Sequence, residues 1–230
     1  MKNSISLLAL VVIIIMSSCS KTHYLTSDFD NITTEHQMVA VVPVHMIFTG
    51  RMPKDLTEEQ IAVIEKEESL AFQQSLMSNI LRSSKNGKKP FNIDFQSIQE
   101  TNAIIERAGI SITDSWTKDP KELARILGVD AVVKTTVEKK RYMSDLASFA
   151  IDVAMTGLGS IEGTTGIFLP GNVNNTNDIK VSLSTIDKRT GTVLYSDRKL
   201  VGVDWNDNTE RVIETVNRRI TKRFPYRKAK

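Results

Sequence analysis

The chain has 230 residues, 40 % of them hydrophobic, a formal net charge of +3 and one cysteine. A single cysteine excludes an internal disulfide and a cysteine-based zinc site, and so small a positive excess makes no whole-molecule case for nucleic acid. Twelve of the hydrophobic residues fall in the first 18; the 212 that follow have ordinary composition and suffice for one well-filled core.

Lys2 precedes an unbroken apolar run of ten residues, Leu7 to Met16, and then Ser17, Ser18 and Cys19. A positive start, a short apolar stretch and small residues before a break read as an export signal. Ten residues span only about 15 Å as a helix, half of a hydrocarbon core of about 30 Å, which argues against a permanent transmembrane helix. Met16-Ser17-Ser18-Cys19 resembles the bacterial lipobox, with Met where that motif prefers Leu. The resemblance implies that residues 1–18 are a removed lipoprotein signal peptide. It also implies that Cys19 is acylated and serves as a membrane anchor. The following Ser20-Lys21-Thr22 is not acidic, which by the same resemblance implies the outer membrane, with the domain facing the periplasm. Residues 19–36 are polar and aperiodic and are expected to be a lipidated tether.

One α/β domain is expected over 37–227. Met38 to Phe48 is short and rich in β-branched residues, a strand buried on both faces and weakened in its middle by Pro43. Thr57 to Ser83 is the longest helical pattern, opened by a capping box of Thr57 and Gln60, with Ile61, Ile64, Phe72, Leu76 and Ile80 on one face. Glu65, Lys66, Glu67 and Glu68 are expected on its solvated side. Phe91 to Phe95 reads as a short strand, and Gln96 to Ala108 as a helix ended by Gly109.

Asp119 and Pro120 start a further helix, which Glu122 can help to cap and Gly128 stops. Asp130 to Tyr142 reads as a strand. Ile179, Val181 and Leu183 alternate with Lys180, Ser182 and Ser184, giving a half-buried strand. A turn over Asp187 to Gly191 leads to its partner, Thr192 to about Val203. Asp207 and Glu210 then start a helix whose stripe is Ile213, Val216, Ile220 and Phe224. This order predicts one mixed sheet of about five strands with helices packed on it, an α/β (α+β) class.

From Ile93 to Val137 the order of "NID", a helix, "RAGI" and "DPKELARILGVDAVVKTTV" is similar to the amino-terminal domain of the Tol-system periplasmic protein. It also resembles the curli-secretion lipoprotein and the lipoproteins that activate penicillin-binding proteins. "STIDKRTGTVLYSDR" looks like their hairpin. The resemblance implies a docking or assembly module in the cell envelope without a common active site. A fold shared so widely assigns no single job.

Residues 143–176 interrupt the domain as an apolar, Gly-rich insertion. Asp145, Ser148, Asp152 and Thr156 make one narrow polar stripe, and five of the eleven glycines follow within fifteen residues. The insertion fits a packed helix with a loop, a surface for another protomer or partner, or a membrane element. A glycine-rich phosphate loop fails, because Glu162 takes the third glycine's place and no Gly-Lys-Ser/Thr follows.

His23, His36 and His45 lack metal-ligand spacing, and no GxSxG occurs. The acidic stretch at Asp204 to Asn208 lacks the glycine and distant Glu of a calcium loop. No cofactor, metal or catalytic group is expected. From residue 218 to the end there are seven cations and no acid. Arg218, Arg219, Lys222, Arg223 and Arg227, with Lys228 of the basic tail 228–230, are therefore candidates for contact with a membrane or partner. They also suit a helix end, where cations favour the dipole.

The leading expectation is a non-catalytic envelope lipoprotein that docks onto another envelope protein or onto copies of itself, with no nucleic-acid partner. The alternative is a subunit of an oligomeric outer-membrane secretion channel like the curli-secretion lipoprotein. An envelope hydrolase acting through scattered carboxylates ranks third.

Overall fold

The computed structural model describes residues 23–50, 57–85, 90–141, 177–203 and 209–227. These residues form seven strands: β1 (His23–Leu25), β2 (Met38–Val41), β3 (His45–Gly50), β4 (Asp94–Phe95), β5 (Ala131–Arg141), β6 (Asn177–Asp187) and β7 (Val193–Val203). The helices are α1 (Phe29–Thr33), α2 (Glu58–Lys85), α3 (Ile98–Arg107), α4 (Ile112–Thr117), α5 (Pro120–Leu127) and α6 (Thr209–Ile220), the last continued by a 3-10 turn, Thr221–Arg223. The strand order is β1-β7-β6-β5-β2-β4, with β3 also on β5. The β5–β6–β7 meander and β1 pair antiparallel, whereas β2 and β3 run parallel to β5 and β4 parallel to β2. This is the mixed α+β sheet that the sequence predicts.

Seven strands stand where about five were expected, for two local reasons. The stretch 38–48 is two strands, because Val41 pairs with Val133 while His45 pairs with Thr136. Three residues, Val42 to Val44, thus face two on β5, a bulge centred on Pro43, which has no amide hydrogen for the ladder. The other strand is β1, which lies in the stretch expected as tether. Residues 23–36 instead join the domain: β1 extends the sheet along β7, and Phe29 of α1 is buried edge-on against Tyr226 at 5.1 Å.

Alternation along the strands divides the core in two. Val39, Val41, Val133, Val137, Val181 and Leu183 face α2 and α6, where Phe72, Leu76, Ile80, Val216 and Ile220 complete the larger cluster. Ala40, Val42, Val132 and Ile186 point the other way, under Ile105 of α3 and Leu123 and Leu127 of α5. Beyond Lys134 none of the described residues covers this second face: Thr136, Glu138, Ser182 and Ser184 are half-buried, and Lys180, Arg198 and Leu200 are exposed.

The helix boundaries follow their local chemistry. Thr57 and Gln60 form the reciprocal box, with Thr57 N donating to Gln60 Oε1 at 2.9 Å and Gln60 N to Thr57 Oγ1 at 3.3 Å. Asp119 caps α5 by accepting from Lys121 N, and Gly128 ends it at φ +70°. Glu122 does not complete that cap; it pairs with Lys118 at 2.9 Å, one turn away. The expected Asp207 cap and the 143–176 insertion lie outside the described residues.

One charged run behaves differently from expectation. Glu68 is buried, 1 % exposed, and accepts from Lys139 Nζ at 2.8 and 3.0 Å. Lys139 also sits 5.5 Å from the centre of the Phe48 ring. Glu68 lies four residues from both Ile64 and Phe72, in phase with the stripe that α2 buries, and Lys139 follows Val137 on the inner face of β5.

Candidate functional site

α6 buries Val212, Ile213, Val216, Asn217 and Ile220 and turns Arg218 and Arg219 outward. Asn217 Nδ2 donates to Phe72 O at 3.1 Å and Thr221 Oγ1 to Asn217 O at 2.8 Å, which fix the helix on α2 and start the 3-10 turn. That turn carries Lys222 and Arg223 on the exposed side, continuing the row from Arg218 and Arg219. These four of the six predicted cations therefore share one surface.

A cleft of about 540 Å³ lies beside them between the last turns of α2 and α6, lined by Asn79, Arg82, Glu214, Arg218, Arg219 and Lys222 among others. Glu214 is already engaged. It accepts from Asn79 Nδ2 at 2.9 Å and Ser75 Oγ at 3.3 Å and pairs with Arg82 at 3.0 Å. Among the described residues Arg218, Arg219 and Lys222 make no ion pair, so the surface keeps their positive charge.

Arg223 reaches to the start of the folded chain, its Nη1 donating to His23 Nδ1 at 3.0 Å. The cationic row thus ends at the first strand, next to the stretch that leads back to Cys19. Arg227 has a different place. Its guanidinium donates to Ser83 O at 3.2 Å and to Ser83 Oγ at 2.9 Å, and lies 5.0 Å from the centre of the Phe91 ring. Burial pulls its pKa below the ordinary value. It clamps the end of the chain to α2. Cys19 and Lys228 lie outside the described residues.

A second polar assembly escaped the sequence reading. His36 Nδ1 meets Tyr226 Oη at 2.9 Å, and His36 Nε2 meets Asp187 Oδ1 at 3.1 Å. Asp187 Oδ2 accepts from Thr190 N and Thr190 Oγ1, both at 2.6 Å. Burial pushes the Asp187 pKa up, but the bonds from Thr190 and then His36 outweigh it and hold the carboxyl below its usual range. Burial, reinforced by Asp187 and Asp130, raises the Tyr226 phenol well above its ordinary pKa. Asp130 is itself lowered: bonds from Gln37 N, Met38 N and Lys188 overcome its burial.

Tyr226 holds a positive φ of 66°, uncommon for an aromatic residue. The three side chains join the amino-terminal segment, the β6–β7 turn and the carboxy terminus. Asp187 and Tyr226 are almost fully buried, so this is a clasp of the fold. The residues lie 151 and 190 positions apart, and no local pattern connects them.

Several solved structures are similar to this chain. The LpoB carboxy-terminal domain from Salmonella enterica is 14 % identical over 76 % of this chain and 93 % of that one, with a TM-score of 0.38. The PelC dodecamer from Paraburkholderia phytofirmans is 12 % identical over 81 % and 86 %, with a TM-score of 0.40. Lipoprotein GNA1162 from Neisseria meningitidis is 14 % identical over 78 % and 92 %, with a TM-score of 0.40. No family model and no curated protein matches the chain.

Proposed function

We propose that this chain is a non-catalytic envelope lipoprotein. Acylated Cys19 holds it at the bacterial outer membrane, and its single domain faces the periplasm and docks onto another envelope protein or onto its own copies. The observation that carries this reading is the length of the link. Only Ser20, Lys21 and Thr22 separate the lipobox cysteine from β1, which is part of the sheet. Four residues reach at most about 14 Å when fully extended. A domain joined to its lipid so closely works at the bilayer surface, where proteins of the same membrane are its accessible partners.

The buried ionisable groups support a structural rather than a chemical use. Glu68 and Lys139 neutralise each other inside the core, and His36, Asp187 and Tyr226 tie three segments together.

The test is made in intact cells. Incorporation of a fatty-acid analogue into the wild-type chain and its loss in Cys19→Ala are the expected results. Crosslinking of the lipidated protein should then trap one defined partner or oligomer. Failure of the label to incorporate, or recovery only as an uncrosslinked monomer, would overturn the reading. Large detergent-stable rings would instead favour the secretion-channel alternative.

A further inference from the structure

We infer that Arg218, Arg219, Lys222 and Arg223 are the face on which the anchored domain rests against anionic phospholipid headgroups. This rests on the lipoprotein reading above and names the surface that the anchor brings to the membrane.

Three observations converge. The cations are exposed on one side of α6 and its 3-10 turn, and the acid that shares their cleft, Glu214, is held by Arg82 and Asn79. Arg223 contacts His23, so the row begins where the chain leaves the domain toward Cys19. The four-residue link reaches at most about 14 Å, so the domain can bring the row within a Debye length of about 8–10 Å of the surface. Cations that near a charged surface feel its field.

The lipobox resemblance implies a diacylglyceryl thioether on Cys19, and two acyl chains already hold a protein durably at a membrane, so the patch is not needed for attachment. Its role is to set orientation. With α6 toward the lipid, the second face of the sheet, bearing Thr136, Lys180, Ser182 and Leu200, points away from the bilayer.

The experiment uses the full lipidated chain carrying Thr215→Cys. Residue 215 is half-buried on α6, one turn before Arg218 and Arg219. Because Cys19 is acylated, the new thiol takes a fluorophore alone. The protein is placed in vesicles of phosphatidylcholine, with and without phosphatidylglycerol, each containing a headgroup quencher. Quenching is expected to be several-fold stronger in the anionic vesicles and to disappear at high salt. It should also disappear in the triple variant Arg218→Glu, Arg219→Glu, Lys222→Glu. The neutral triple Arg218→Gln, Arg219→Gln, Lys222→Gln should weaken contact by about fivefold per cation removed. Unchanged circular dichroism of both variants separates lost contact from lost fold.

Equal quenching in the two vesicles, or quenching that survives charge reversal, would overturn the inference while leaving the anchor intact. So would a photocrosslinker at residue 215 that traps an acidic protein in cells in place of lipid. If the chain fails to float with phosphatidylcholine vesicles, the anchor reading fails. Flotation with anionic vesicles that the Glu variant abolishes would then still support the cationic face, and its absence would overturn that too.

Discussion

Glu138 and Lys139 are neighbours on β5, and each makes a charge pair, on opposite faces of the sheet. Lys180 reaches Glu138 at 2.8 Å across the open face, where the two side chains are 49 % and 33 % exposed. Lys139 reaches Glu68 at the same distance inside the core, where the exposures are 8 % and 1 %. Equal geometry carries unequal energy. On the open face water and salt screen the pair, and holding two long side chains costs entropy. Inside, both charges have lost their hydration, and each depends on the other to offset that loss. The difference extends to the surroundings. Among the described residues α2 and α6 seal the inner face, while α3 and α5 cover the second face over β2 and the near ends of β5 and β6.

The sharpest way to break the inner side is Lys139→Met. Removing the Lys139 ammonium takes away a charge that balances the buried Glu68 carboxylate, and unfolding stability should fall by about 3–5 kcal/mol in chemical denaturation. Glu68→Leu combined with Lys139→Met should recover most of that loss. A double variant as unstable as the single would show that the pair itself, rather than the unbalanced Glu68 charge, sets the cost. Leu123→Ala tests the covered part of the second face. Leu123 of α5 is fully buried against the sheet, and truncation should cost about 2–4 kcal/mol by loss of burial and the cavity left behind. A loss under about 1 kcal/mol would mean that α5 contributes little to closing that face.

The inner pair was legible in part, and the reason is periodicity. In Glu65-Lys66-Glu67-Glu68 all four residues look alike by composition, but only Glu68 is in phase with both Ile64 and Phe72. Lys139 keeps the two-residue phase of Val137. Two opposite charges that each fall on an apolar stripe are a signal for a buried pair, and reading the run as a solvated face passed over it. The long strands, the Gly128 stop and the Thr57–Gln60 box were legible because each is fixed by neighbours in sequence. β1, α1 and α4 have three, five and six residues, too few to show a period, and their place is set by what they pack on. α4 did leave one trace, a Ser111 cap accepting from Asp114 N at 3.0 Å. The basic row of the candidate site was plain in the sequence. Its junction with β1 through Arg223 and His23 was not, because those residues are 200 positions apart.

Between the two extremes of burial stands Asp187, whose carboxyl is buried but fully bonded. Its folded pKa lies below the ordinary carboxylate value of about 3.9, so it contributes stability above that value, and the contribution is lost as pH falls through it toward the folded pKa. Asp187→Asn should lower stability at neutral pH by about 1–3 kcal/mol, the range for a hydrogen bond to a charged group. It should also flatten the decline below about pH 5, because one of the carboxylates that drives acid unfolding is gone. Thermal melts of both proteins between neutral pH and pH 3 measure the slope. An unchanged acid limb would assign the pH dependence to Asp130 and other carboxylates.

The smallest effects are expected on the open face, and their smallness carries the comparison. Lys180→Ala removes the partner of Glu138 but leaves that carboxylate in contact with water, so the loss should lie between about 0.2 and 1 kcal/mol and shrink further in high salt. Leu200 is 66 % exposed, and Leu200→Ser should change stability by no more than about 0.5 kcal/mol. If the open face is where an envelope partner docks, these two substitutions should separate binding from folding. Crosslinking in cells should fall while the denaturation midpoint of the purified protein stays in place. A large loss of stability from either would mean that another part of the chain covers this face, and the division between the two sides of β5 would have to be redrawn.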